Sequence, residues 1–266
     1  MTAVPRDVDP DGGPPLSIPL RHFVAALGFL LAGSALGVAD TFGVAPGLAR
    51  LAHVHLLLVG FVCLTIAGAM TQFVPVWSGR TLHSRRLARA QLWLLVVGLV
   101  GFVAGLLTGR PVALPVFGSL LLAGFWALAY NVGRTLEYPL DVTERHFAAA
   151  LAFFVALTTL GVALAAGFVT PVFGGALPRS AVVGAHVTLA VFGAVLTTVF
   201  GALYQLVPMF GQTDLDGLDR RLQRVETVVY PLGVAVLALG RLLANGPLAR
   251  FGAGLLLAGV LAFLVV

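Results

Sequence analysis

Leu51–Trp77, LAHVHLLLVGFVCLTIAGAMTQFVPVW, decides the fold because the chain contains it twice. The second copy is Ala185–Phe210, AHVTLAVFGAVLTTVFGALYQLVPMF, and at one offset (186 − 53 = 133) the two align without a gap. His53 then pairs with His186, Gly60 with Gly193, Thr65 with Thr198, Gly68 with Gly201, Gln72 with Gln205 and Pro75 with Pro208. Shared hydrophobicity would match Leu with Val, but not also a His, a Gln, a Pro and two Gly. The flanks repeat as well: Arg21-His22-Phe23 returns as Arg145-His146-Phe147, and Arg85-Arg86-Leu87 as Arg220-Arg221-Leu222. The chain reads as the duplication of one unit.

Each copy lies in an apolar run long enough to cross a bilayer, which takes about 20 residues. Eight such runs are predicted: His22–Phe42, Pro46–Trp77, Leu87–Thr108, Pro111–Asn131, His146–Val169, Pro178–Phe210, Leu222–Leu243 and Pro247–Val266. They are uninterrupted rather than alternating, so they predict helices and not the strands of a membrane barrel. The composition agrees. With 59% hydrophobic and 10% charged residues and a mean hydropathy of +1.01, the chain has too little polar surface to coat a soluble globule.

The expected fold is therefore an all-α integral membrane protein of eight transmembrane helices. These form two tandem four-helix repeats, 21–136 and 137–266, behind a tail at 1–20. The tail is acidic and rich in Pro and Gly, and predicts disorder. It lacks the pattern of a cleaved signal peptide. Four spans per unit put both copies in the same orientation, related by a pseudo-twofold along the membrane normal.

Charge sets the direction. All 16 cations are Arg, and eleven of them fall on the side of the amino terminus against five on the other, which predicts cytoplasmic termini in a plasma-membrane protein. The basic excess is thus a topology signal, not a nucleic-acid surface. The lipid bilayer is the expected partner, and a homo-oligomer is compatible with the composition.

Chemistry concentrates on histidine. His53 and His186 sit about two turns into their spans, where a polar ring needs a hydrogen bond or a metal. Gly60 and Ala67 follow His53 at seven-residue steps and leave its face open to something flat or to another helix. His55 points roughly 200° away from His53 around a regular helix, so one metal would not take both. His22 and His146 open their spans and read as interfacial anchors in contact with lipid headgroups. Gln72, Gln205, Thr65 and Thr198 read as interhelical glue, and Tyr204 as a packing residue, with a place on a proton route as the alternative. Cys63 is the single cysteine, so one chain offers no disulfide, iron–sulfur or cysteine–zinc site. There is no GxSxG, phosphate loop or HExxH, and no intramembrane carboxylate pair is read from the spans.

Arg50-x-x-His53 opening a long second span that ends in Gln72-Phe73-Val74-Pro75 resembles the second span of the heme-copper oxidase catalytic subunit. It is most similar to the nitric-oxide-reductase-like and cbb-type branches. The resemblance implies four-helix arcs, a low-spin heme b ligated from the outer side by His53, and His186 at a position where the family places a copper ligand. It also implies respiratory or nitric-oxide enzyme subunits as partners. The family has at least twelve spans and a third arc whose histidines serve two hemes, and this chain has neither. A complete oxidase is thus not implied. A two-arc relative holding one heme b is, with His53 and His186 as axial ligands or each paired with another residue, and with any catalysis being that of an oxidoreductase. Two other readings stay open: a cofactor-free permease or assembly factor, and a copper-handling protein using His53, His55 and His186.

Overall fold

The computed structural model describes residues 14–266 apart from 176, 213, 214 and 216. Among the described residues, eight helices are long and apolar enough to cross a membrane, which makes the chain a multi-pass membrane protein. They are α1 (Ser17–Thr41), α2 (Ala49–Ser78), α3 (Arg85–Thr108), α4 (Ala113–Gly133), α5 (Val142–Ala166), α6 (Arg179–Gly211), α7 (Gly217–Leu242) and α8 (Gly246–Val265). Local chemistry sets their ends. Ser84 and Asn245 accept from the backbone N–H of Leu87 and Leu248 as N-caps. Gly79 and Gly109 close α2 and α3 in the left-handed conformation.

Three helices begin four or five residues before their expected starts: α1 at Ser17 rather than His22, α5 at Val142 rather than His146, and α7 at Gly217 rather than Leu222. Hydropathy marks where polar residues stop, whereas a helix runs on through amphipathic side chains whose stems lie along apolar surface. Of the expected tail, residues 1–13 lie outside the described residues, and Ser17–Leu20 form the first turn of α1.

The chain divides into two compact units. One runs to Glu137 and includes Ala165–Thr170; the other comprises Tyr138–Leu164 and Pro171–Val266. In the first, α1 packs along α2, and α3 and α4 form a hairpin. In the second, α6 packs on α7, and α7 and α8 form the hairpin. Both second spans contain eight residues of wider π-helical turn, Leu56–Cys63 in α2 and Leu189–Leu196 in α6, which fall at the same offset as the repeated sequence. Such turns loosen the i→i−4 ladder and are common where a helix carries function.

Glycine sets the helix contacts. A Cβ on Gly60 would meet Phe29 Cβ of α1 at 2.7 Å, and one on Gly193 would meet Phe153 Cβ of α5 at 2.9 Å. The small face below His53 is therefore closed by a neighbouring helix.

Candidate functional site

Each unit carries polar groups at two levels. At one end, the second-span histidine lies on the first span. His53 Nδ1–H donates to Gly33 O of α1 at 2.7 Å, and the ring rests on Gly37, where a Cβ would come within 2.5 Å of His53 Cε1. In the other unit His186 Nδ1–H donates to Leu157 O of α5 at 2.9 Å, and Gly161 faces its ring, a Cβ there lying 3.1 Å from Cε1. Gly33 and Leu157, and Gly37 and Gly161, are equivalent in the register that pairs His22 with His146. Nδ1 is occupied in both rings, which fixes the tautomer and leaves the Nε2 lone pair as the donor atom. Gly37→Val is expected to displace the His53 ring and destabilise the protein by about 1–3 kcal/mol, read from its unfolding in denaturant.

His55 is directed elsewhere. Its Nδ1–H donates to Leu51 O of its own helix at 2.8 Å, and its ring centroid is 5.0 Å from that of Phe102 on α3. The structure thus places His53 and His55 on different sides of α2. No group of three or more His, Cys, Asp or Glu side chains arranged for a metal occurs among the described residues.

At the other end lies a second constellation, about 16 Å along α1 from the first, since eleven residues separate His22 from Gly33. His22 and His146 are 0% and 1% exposed, so they are not the headgroup anchors expected from sequence. The early starts of α1 and α5 put each ring a full turn inside its helix. There the Nδ1–H donates back to Ile18 O and Val142 O respectively. Gly68 and Gly201 make room for them: a Cβ on either would meet the histidine Cβ at 2.7 and 2.6 Å.

What meets Nε2 differs between the units. In the first it is Gln91 of α3, whose Nε2 stands 3.4 Å from His22 Nε2 and donates at 3.4 Å to Thr71 Oγ1 of α2. In the second it is Glu226 of α7. His146 Nε2 lies 3.0 Å from Glu226 Oε2 and 3.2 Å from Oε1, and Tyr204 O–H of α6 donates to Oε2 at 3.0 Å. Glu226 is fully buried. When Arg85-Arg86-Leu87 is aligned with Arg220-Arg221-Leu222, Gln91 falls on Glu226; when the second spans are aligned, Thr71 falls on Tyr204.

No protein-family model and no curated protein matches this chain. The site is thus defined by its own geometry.

Sequence reasoning missed Glu226 and the hydrogen bond that Tyr204 donates to it. The repeat held the signal, because Gln91 and Glu226 flank matched Arg-Arg-Leu triplets and only one of the pair carries charge. The expected glue residues are also corrected in part: Thr198 O–H donates to Ala194 O of its own helix at 2.6 Å, and Gln72 Oε1 is buried with no hydrogen-bond partner among the described residues. Back-bonding to the i−4 carbonyl satisfies a helical Thr without a neighbour.

Proposed function

We propose that this chain is a membrane heme-binding protein similar to the heme-copper oxidase catalytic subunit, serving electron transfer or acting as an accessory to a respiratory or nitric-oxide enzyme. One observation carries the reading. His53 and His186 each commit Nδ1–H to a first-span carbonyl and keep Nε2 as a donor, the arrangement that orients an imidazole for a metal. His53 and His186 would hold the group, one imidazole in each unit. Bound there, a heme iron would supply one-electron exchange. The chain's own contribution is to hold each ring against Gly37 or Gly161, to fix its tautomer, and to exclude water with the apolar spans around it.

The same reading includes a duplicated four-span unit in a plasma membrane with both termini cytoplasmic. Its support is the paired π-helical turns, the paired histidine docking and the arginine distribution. The outer end of each unit then carries His53 or His186, and the cytoplasmic end carries His22 or His146.

The test is the absorption spectrum of purified protein, oxidised and dithionite-reduced, with metal analysis on the same sample after expression with heme supplied. The expected result is the reduced bands of a heme b, diminished in His53→Ala or His186→Ala. A heme spectrum that survives both substitutions would overturn the assignment.

A second reading, a cofactor-free permease or assembly factor, gains from Glu226, because a fully buried carboxylate inside a span is a functional-site candidate by default. Solute uptake by cofactor-free protein in proteoliposomes would favour it. Copper handling by His53, His55 and His186 has less support, since His53 and His55 are turned to different helices.

A further inference from the structure

The two units provide an internal control. At one fold position, the first unit joins three helices through His22, Gln91 and Thr71, and the second through His146, Glu226 and Tyr204. The packing task is the same, and an amide with a hydroxyl suffices for it in the first unit. The second unit uses a carboxylate and a phenol instead, at the cost of taking an ionisable pair out of water. Structure alone does not call for that choice.

The proton count at the cluster follows from its hydrogen bonds. His146 Nδ1–H is committed to Val142 O at 2.7 Å. Between Nε2 and the carboxylate, 3.0 Å apart, there is room for one further proton, on either atom. With that proton the cluster is neutral overall. Without it, an imidazole lone pair faces a carboxylate, and the contact is repulsive.

The surrounding groups leave this proton to the pair. From α5, Arg145 donates through Nε to Leu140 O, and Glu144 accepts from Asp141 N–H. From α7, Tyr230 O–H donates to Phe192 O at 2.7 Å. From α8, the neighbour is Phe263, whose ring is edge-on to Tyr204. Tyr204 itself is only part-buried, whereas His146 and Glu226 are sealed.

We propose that the His146–Glu226–Tyr204 cluster is a proton-binding site that takes up and releases one proton through Tyr204. On uptake, the phenol gives its proton to Glu226 Oε2 and takes one on the same oxygen from a hydronium ion. The carboxylate becomes a carboxylic acid, the hydronium a water, and the phenol is unchanged. Release reverses each transfer. The His22–Gln91–Thr71 constellation has neither a carboxylate nor a phenol with which to make these transfers. The site stands independently of a heme, since none of its residues touches His53 or His186.

The experiment uses the full chain in lipid nanodiscs with the glutamate side-chain carboxyls labelled with carbon-13. The chain has three glutamates, Glu137, Glu144 and Glu226, so the assignment is small. Infrared and solid-state NMR spectra are taken across the range in which an imidazole titrates. The expected result is one carboxyl signal that passes between carboxylate and carboxylic acid, is absent in Glu226→Gln and persists in His22→Gln. Tyr204→Phe should slow its proton exchange by at least about tenfold. Should Glu226→Gln not fold, Glu137→Gln with Glu144→Gln leaves Glu226 as the sole labelled carboxyl and gives the same readout. A Glu226 signal that stays in one ionisation state throughout would overturn the proposal and make the pair a fixed structural contact.

Discussion

Glu226→Ala is expected to destabilise the protein by about 3–5 kcal/mol, the cost of breaking a buried pair by removing one partner. The side chain accepts from Tyr204 O–H and faces His146 Nε2, and both it and His146 are sealed from solvent. Truncation leaves the sealed His146 Nε2 and the part-buried Tyr204 O–H without the carboxylate they meet, and also a cavity. Two further variants separate these terms. Glu226→Gln restores an amide that can accept from Tyr204 and donate to a neutral His146, as Gln91 does for His22, and should cost only about 0.5–1.5 kcal/mol. Glu226→Leu with His146→Leu removes both polar groups and should recover most of the loss, because apolar replacement of a whole buried pair is often neutral or better. The measurement is the midpoint of thermal unfolding in detergent, followed by size-exclusion profile. Equal losses for Ala and Gln would mean that the carboxylate itself, rather than the volume that Gln preserves, holds α5 to α7.

These contacts show how far the sequence could be read. Eight helices were legible because a bilayer demands long apolar runs, and no tertiary contact is needed to see them. The docking of His53 and His186 was half legible. The aligned sequences pair the two residues, but their bonds to Gly33 and Leu157 depend on how the second span lies across the first. The paired π-helical turns were not legible, since Leu56–Cys63 and Leu189–Leu196 are plain aliphatic segments with a central Gly. His22 and His146 were misread because their neighbours Arg21 and Arg145 are interfacial, and adjacency in sequence suggested adjacency in environment. On a helix the next residue points about 100° away, so one can face lipid headgroups while the other faces the core. Glu226 was hidden for a related reason. It stands two residues beyond Arg224, in a turn that looks polar in composition, while its own face of α7 is buried.

Gly252→Val is expected to separate α8 from α7 and lower stability by about 3 kcal/mol or more, because the added atoms would meet backbone rather than side chain. A Cβ at Gly252 would come within 2.7 Å of Leu237 Cα and closer still to its N, and Gly233, Gly240 and Gly259 meet the partner helix just as tightly. Side chains can rotate away from a bulky substitution, but two helix backbones in contact can only move apart, which forfeits packing along the whole hairpin. The equivalent hairpin, α3 with α4, solves the same problem differently. Phe117 stands where α8 has Gly252, and Gly101 of α3 accommodates its ring. Gly101→Val should therefore be less damaging in the first unit than Gly252→Val in the second, because the Phe117 ring it meets can turn aside, while Val236, which holds the place of Gly101 in α7, should accept alanine at a cost of about 1 kcal/mol for a trimmed aliphatic side chain. Monodisperse yield and thermal midpoint across the three variants check the expectation. A Gly252→Val protein as stable as the parent would mean that α8 is held by its lipid-facing sides rather than by this seam. The close approach matters for the buried cluster too. Gly259 lets α8 lie against Tyr230 on the helix that carries Glu226, and Phe263, one turn further on, packs against Phe200 and Tyr204. Loosening the seam should therefore admit water at Tyr204 and speed proton exchange at Glu226, in the opposite sense to Tyr204→Phe.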